Sequence, residues 1–217
     1  MKSVLLEHFP NLSEVQLNQL FTFAQIFPEW NDKINCISRK DIENLFVNHI
    51  LHSLSIAKLF YFPEGTVIAD IGTGGGFPGI PLAIMFPDAE FDLVDSIGKK
   101  IIVVKSIIEK LKLNNVSAKC SRAESLPEKY DVVVSRAVTS FPKFYQLVHH
   151  IIRKNAKSDI NGIIYLKGGD FSNEISKFKK IQVYNIIEHM KYDYFETKKI
   201  IYLPINKKSE IKVLNNQ

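Results

Sequence analysis

Apolar residues in the first sixty positions recur every three or four residues, the spacing of helices that bury one face. Leu17, Leu20, Phe21, Ala24 and Phe27 share such a face in EVQLNQLFTFAQIF, and Ser13 with Gln16 forms the capping-box pattern that opens it. A second helical stretch is expected after Ser38, through DIENLFVNHILHSLSIAKLF, until the turn signal FPEG at 62–65 ends it. From Thr66 the rhythm changes. Short apolar runs at 66–70, 90–95, 116–120, 130–135 and 162–167 predict strands, with helices near 78–85, 97–112, 141–151 and 171–180. This alternation predicts a parallel sheet covered on both faces. IQVYNIIEHM and KKIIYLPI, joined by KYDYFET, predict two closing strands in an antiparallel hairpin. The expected organisation is a helical extension over 1–61 and one α/β unit over 62–217, without internal repeats or low-complexity linkers.

Composition changes this picture little. The chain has 217 residues, 46% hydrophobic and 24% charged, as expected of one globular unit with an appendage. No apolar run reaches the roughly 18 residues a membrane span needs, and MKSVLLEHFP is too short in its apolar part for a secretory signal. Cys36 and Cys120 are isolated, and the six histidines form no ligand spacing, so neither a disulfide scaffold nor a metal site is expected. Charge is more informative by its placement. The net +5 is concentrated from Ile175 onward, where nine lysines face four acidic residues. Phe178, Tyr184, Tyr192, Tyr194, Phe195 and Tyr202 interleave with them. Lysines for phosphates and rings for unpaired bases would suit an RNA surface; the competing reading is a solvated lysine face with its rings packed inward.

The candidate chemistry begins at VIADIGTGGGFPGIPLAIMFP (67–87). Gly72, Gly74, Gly75 and Gly76 follow Asp70, and Phe77-Pro78 opens the next helix, so a tight glycine turn lies at the carboxyl end of the first strand. Nucleotide-like ligands bind at such turns in open α/β sheets. Gly74, Gly76 and Gly79 match the dinucleotide fingerprint, which seats a pyrophosphate. Asp70 would repel that group and suit a cationic ligand such as the ammonium of S-adenosylmethionine, directly or through water. The order D-x-G-x-G therefore favours S-adenosylmethionine over NAD. Asp95 ends the second strand, where an acid accepts hydrogen bonds from ribose hydroxyls, or else caps the helix that follows. Ala123 and Glu124, after the third strand, would lie beside the adenine.

The fourth strand, YDVVVSRAV, ends where methyltransferases meet their acceptor. It lacks the [ND]-P-P-[YF] of exocyclic-amine methylation, and neither Cys36 nor Cys120 is expected near enough to attack a pyrimidine. An acceptor atom with a free lone pair, such as guanine N7, needs alignment more than a general base. Arg136 is the charged group placed to act there, on the methionine carboxylate or an RNA phosphate.

DIGTGGGFPGIPLAI, DLVDSIGKK, SRAE, YDVVVSRAV and LKGG together resemble the glucose-inhibited division protein B family, ribosomal RNA small-subunit methyltransferase G. WNDKINCIS (30–38) and NHILHSL (48–54) extend the likeness into the front end, so that it covers about residues 20 to 170. It implies a Rossmann-like class I methyltransferase with a mostly parallel seven-stranded sheet. The enzyme would be a cytoplasmic monomer that moves a methyl group from S-adenosylmethionine to N7 of a guanine in 16S rRNA. The family's cofactor contacts carry over to Gly72, Phe77, Ala123, Glu124 and Arg136; Asp70, Gly74 and Asp95 are added from the loop and ribose arguments. Lys99, Lys100 and Lys167 match family lysines and are expected to contact RNA. Three features depart from the family pattern: His52 stands for an aspartate, Asn48 for a basic residue, and Cys36-Ile37 for Leu-Thr. An S-adenosylmethionine enzyme with a protein or small-molecule acceptor, and a non-catalytic RNA-binding assembly factor, remain open alternatives.

Overall fold

The computed structural model describes residues 1–127, 129–154 and 160–205. Two helices lead, α1 (Lys2–His8) and α2 (Glu14–Lys33). The capping box of α2 forms: Gln16 N donates to Ser13 Oγ, and Ser13 N donates to Gln16 Oε1 at 2.9 Å. The same Gln16 amide donates to the carbonyls of Ile84 and Met85, so one residue opens its own helix and satisfies the end of another.

The second front-end stretch departs from the expected single helix. A 3-10 segment (Arg39–Asn44) passes into a π-helical turn (Phe46–Leu51), the short α3 (His52–Leu54) and a further 3-10 turn (Ser55–Lys58). Ser53 and Ser55 donate their hydroxyls to the carbonyls of His49 and His52, each at 2.6 Å. Hydroxyls bonded back to the helix in this way compete with its regular ladder, and helical periodicity alone does not reveal the competition.

From Val67 the alternation holds. The elements are β1 (Val67–Ile71), α4 (Gly79–Met85), β2 (Glu90–Asp95), α5 (Gly98–Leu111), β3 (Val116–Cys120), β4 (Val132–Arg136), α6 (Phe141–Val148), β5 (Gly162–Gly168), α7 (Ser172–Ile175), β6 (Gln182–Asn185) and β7 (Lys198–Pro204). They form one seven-stranded sheet in the order β3-β2-β1-β4-β5-β7-β6. β1 to β5 pair in parallel, whereas β7 runs antiparallel to both β5 and β6. The expected helix over 171–180 is confined to α7, because the lysine-rich stretch beyond it offers only Phe178 to the core. The expected strand over 181–190 stops at Asn185, where the chain turns to bury Ile186 and Met190.

Alternation along the strands divides the interior in two. Ile68, Leu93, Val132, Ile164 and Tyr202 face a core shared with Leu17, Leu20, Phe23 and Phe27 of α2. Ala69, Val94, Val133, Tyr165 and Ile201 face the other, under Phe141 and Phe144 of α6. The front-end helices thus roof one face of the sheet. The aromatics after Ile175 are also drawn inward: Phe195 and Tyr202 are fully buried, and Phe178, Tyr184, Tyr192 and Tyr194 pack against the cores. Of the two readings of this tail, the inward-packed one holds for these rings, since burial of ring area outweighs exposure. Residues 206–217 lie outside the described residues.

Candidate active site

Over the carboxyl ends of β1, β2 and β4 lies a cavity of about 510 Å³. The glycine turn forms its floor. Gly72 and Gly74 have φ of 73° and 58°, a left-handed backbone that glycine adopts without strain. A Cβ on Gly72 would come within 2.5 Å of Val138 Cγ2, so glycine there lets the segment after β4 close onto the turn. A Cβ on Gly75 would meet the Phe27 ring at 2.5 Å. Phe27 and Phe23 pack against Phe77 with ring centroids 5.0 and 5.1 Å apart, so the front end supports the turn from beneath.

The two predicted carboxylates act differently. Asp95 lines the cavity, and its oxygens accept from Gly74 N (3.0 Å) and Ile97 N (2.9 Å), joining the turn to the start of α5. Each oxygen keeps a second lone pair, so a ribose hydroxyl remains a possible donor to it. Asp70 does not line the cavity. It is wholly buried beneath the turn, where Oδ2 accepts from Thr73 Oγ1 at 2.6 Å and Gly79 N at 2.9 Å. Its Oδ1 has no hydrogen-bond partner among the described residues. Burial pushes its pKa up to about 7, against the lowering effect of those two bonds. The expected direct meeting of Asp70 with a cationic ligand is therefore corrected: its strand position aims it under α4, and it anchors the glycine turn instead.

Gly72, Gly74, Phe77, Asp95, Ala123, Glu124 and Arg136 all line this one cavity. Arg136 lies over the Phe77 ring, 5.1 Å from its centroid. Its guanidinium donates to His49 Nδ1 at 2.9 Å and to the Asn48 carbonyl at 3.4 Å, both neutral acceptors. Burial and the Arg136 charge push the His49 pKa down to about 3, which keeps the imidazole an acceptor near neutrality. Burial lowers the Arg136 pKa to about 10, so it stays cationic. A guanidinium that, among the described residues, is bonded to neutral partners is suited to receive an anionic group.

The expected RNA lysines separate. Lys99 is exposed on α5, and Lys100 lines the cavity itself. Lys167 lies elsewhere, with Nζ at 2.8 and 2.6 Å from the two oxygens of Glu174. Glu174 also accepts from Phe141 N at 2.7 Å. The ion pair joins β5 to α7 and the bond to Phe141 N joins α7 to α6, so the Lys167 charge is engaged within the fold, against its expected service to RNA. Cys36 is likewise not remote, because it lines the cavity beside the turn. Burial raises its pKa, which favours the unreactive thiol.

Several residues in or beneath the site carried no sequence expectation. Asn31, buried in the last turns of α2, accepts from the backbone N–H of Cys36 and Ile37, both at 2.9 Å, and donates to the Ile37 carbonyl at 3.2 Å. It thereby holds both departures from the Leu-Thr pattern against the cavity. Its place in WNDKINCIS was the available signal. His49 sits in the π-helical turn, a feature often found at functional sites. His52 is buried between Tyr194 and Phe195, with the Asn48 backbone within reach of its ring. Among the described residues, no group of three or more His, Cys, Asp or Glu side chains could hold a metal ion, and no helix is long and apolar enough to cross a membrane.

Residues 16–201 match the family model GidB, described as rRNA small subunit methyltransferase G. The chain belongs to this family. Among curated members, the ribosomal RNA small subunit methyltransferase G of Flavobacterium psychrophilum is 49% identical over 93% of this chain and 97% of its own. That of Flavobacterium johnsoniae is 48% identical over the same shares. Solved structures share the fold at low identity. A precorrin-6y C5,15-methyltransferase from Geobacter metallireducens superposes with a TM-score of 0.53 at 12% identity, covering 78% of this chain and 90% of its own. A SAM-dependent methyltransferase from Aquifex aeolicus gives 0.53 at 14% identity, covering 76% and 97%. The fold is that of class I methyltransferases.

Proposed function

We propose that this chain methylates N7 of a guanine in 16S ribosomal RNA of the small subunit, in the cytoplasm, with S-adenosylmethionine as donor. The observation that carries this reading is the cavity: in a chain of this family, it joins bare glycine backbone, the Asp95 carboxylate and an arginine without an anionic partner among the described residues. The donor set fits. Asp95 would accept from the ribose, Ala123 and Glu124 would flank the adenine, and Arg136 would pair with the methionine carboxylate. Bound there, S-adenosylmethionine supplies an electrophilic methyl group. The chain's own part is positioning, because N7 brings its own lone pair and needs no deprotonation. Burial raises the Cys36 pKa, which favours its thiol over the thiolate that attack on a pyrimidine would use. Lys99 and the exposed, cavity-lining Arg122 would take RNA phosphates.

N7 lies on the Hoogsteen edge, which A-form RNA hides in a deep, narrow groove. The target guanine is therefore expected to be unpaired or flipped into the site.

Labelled S-adenosylmethionine supplied to small-subunit RNA or particles from a strain lacking this gene tests the reading. Chain cleavage at N7-methylguanine then maps the label. Label at another atom, or only in protein, overturns the acceptor assignment; no affinity for the donor by calorimetry favours a non-catalytic assembly factor. Equal rates on a short duplex and on the same guanine in a loop would contradict the flipped-base requirement.

A further inference from the structure

Arg136 comes to the cavity from the end of β4, but the groups that hold its guanidinium belong to the front end of the chain. Phe46–Leu51 is a π-helical turn, wider than an α-helical one. Two acceptors of that turn converge on one guanidinium. His49 Nδ1 lies 2.9 Å from Nη2, and the Asn48 carbonyl lies 3.4 Å from Nη1. The Phe77 ring lies against both side chains, its centroid 5.1 Å from Arg136 Cζ and 5.4 Å from the centre of the His49 ring. Phe77 is itself packed on Phe23 and Phe27. The guanidinium is therefore fixed on one face and along one edge.

The kind of acceptor matters as much as its place. Arginine only donates, so His49 Nδ1 accepts and the imidazole proton sits on Nε2. Asp70 and Asp41 favour the charge of Arg136, yet among the described residues neither bonds to it. A carboxylate in place of His49 would hold the same edge, but it would also neutralise the cation and compete with an incoming anion. A neutral imidazole orients the guanidinium and leaves its charge whole.

We infer that His49 is the positioning residue for the donor's carboxylate: it aims Arg136 through a neutral acceptor, so that the anion paired with the guanidinium comes from the donor. The inference rests on the reading of Arg136 as partner of the methionine carboxylate, and it names what aims that arginine.

Calorimetry on the full-length chain tests it by comparing S-adenosylmethionine with decarboxylated S-adenosylmethionine, which keeps the adenosine, the sulfonium and the amine. The ratio of the two affinities reads the carboxylate contact. His49→Leu removes the acceptor. His49→Asn places a neutral oxygen near the position of Nδ1, and His49→Asp places a charged one there. The wild type is expected to prefer the carboxylated donor by about thirtyfold, the scale of a charge-assisted bond, and Arg136→Leu to abolish that preference. His49→Leu and His49→Asp should each reduce it to about threefold or less, with the decarboxylated donor bound at least about as well as by the wild type, while His49→Asn keeps most of it. The polar pair carries the comparison should His49→Leu fold poorly. A full preference in His49→Leu or His49→Asp overturns the inference. Equal weakening of both donors overturns it too, because it marks a support of the cavity wall rather than of the carboxylate. Loss of the preference in His49→Asn overturns the role of a neutral acceptor. If Arg136→Leu keeps the preference, the donor reading fails and the inference with it; if Arg136→Leu abolishes it and the His49 variants do not, the inference alone fails.

Discussion

Asp70 and Asp92 are buried carboxylates on neighbouring strands, and they are provided for in opposite ways. Asp92 on β2 meets Lys119 at 2.7 Å, Lys129 at 2.9 Å, the Tyr130 hydroxyl at 2.9 Å and the Ser117 hydroxyl. Burial alone would raise its pKa, but these four partners together hold it below the usual carboxylate range. Among the described residues, Asp70 on β1 meets a hydroxyl and a backbone N–H and keeps one oxygen unpartnered, and burial pushes its pKa up to about 7. Asp92 is satisfied by cations and staples β2, β3 and the approach to β4. The central one is short of positive charge and holds a glycine turn whose shape matters more than its stability. Buried carboxylates with strongly raised pKa mark functional sites more often than salt-bridged ones do.

Substitutions that exchange these roles would break the contrast. The largest effect is expected from Asp70→Leu, which removes the acceptor for both turn-anchoring bonds. At about 1–3 kcal/mol for each donor left unsatisfied, donor affinity should fall by about a hundredfold in calorimetry. Unchanged affinity would mean that the turn holds itself. Asp92→Asn comes next, with about 2 kcal/mol lost in urea unfolding as two lysines lose their buried partner, and donor affinity unchanged.

The pH dependence sharpens the contrast. With its folded pKa raised from 3.8 to about 7, Asp70 favours the folded state most on the acid side and withdraws that support as pH rises from about 4 to 7. Asp92 acts in reverse: its depressed pKa gives stability present above 3.8 and lost as pH falls. His49 and His52, lowered by burial from 6.5, also give stability present above 6.5 and lost on acidification. Asp70→Asn should therefore make the melting temperature climb more steeply between pH 4 and 7 than in the wild type; a shallower climb would refute the raised pKa. The smallest effect is expected from His52→Leu. It flattens the decline below pH 6.5 and changes neutral-pH stability by no more than about 1 kcal/mol, since the buried imidazole's desolvation is removed together with its bond to the Asn48 backbone. A steeper decline would show that His52 is protonated in place.

Most of the sheet was legible because buried parallel strands appear as apolar runs between turn signals, as in TVIAD and YDVVVS. The front end was less so: its helical period was real, but back-bonded Ser53 and Ser55 and the π-helical turn around His49 are local events that periodicity averages away. The residue types at the site were also legible, whereas their contacts were not. Asp70 was recognised as important for its charge and proved to act through its hydrogen bonds, because spacing does not tell which side of a strand end faces the ligand. Lys167 was assigned to RNA, since Glu174 lies beyond a turn whose closure the sequence does not display. Asn31 left no signal beyond its place in WNDKINCIS, because its partners are main-chain atoms, which carry no signature of their own.

The grip of Asn31 on the backbone at Cys36 and Ile37, with Phe27 lodged beneath Gly75, makes the leading segment a wall of the catalytic chamber rather than an attachment to it. A shortened chain beginning at Pro63 would lose part of its donor-binding surface along with its roof. Grafting these leading helices onto another methyltransferase core would transplant half of a joint without its counterpart.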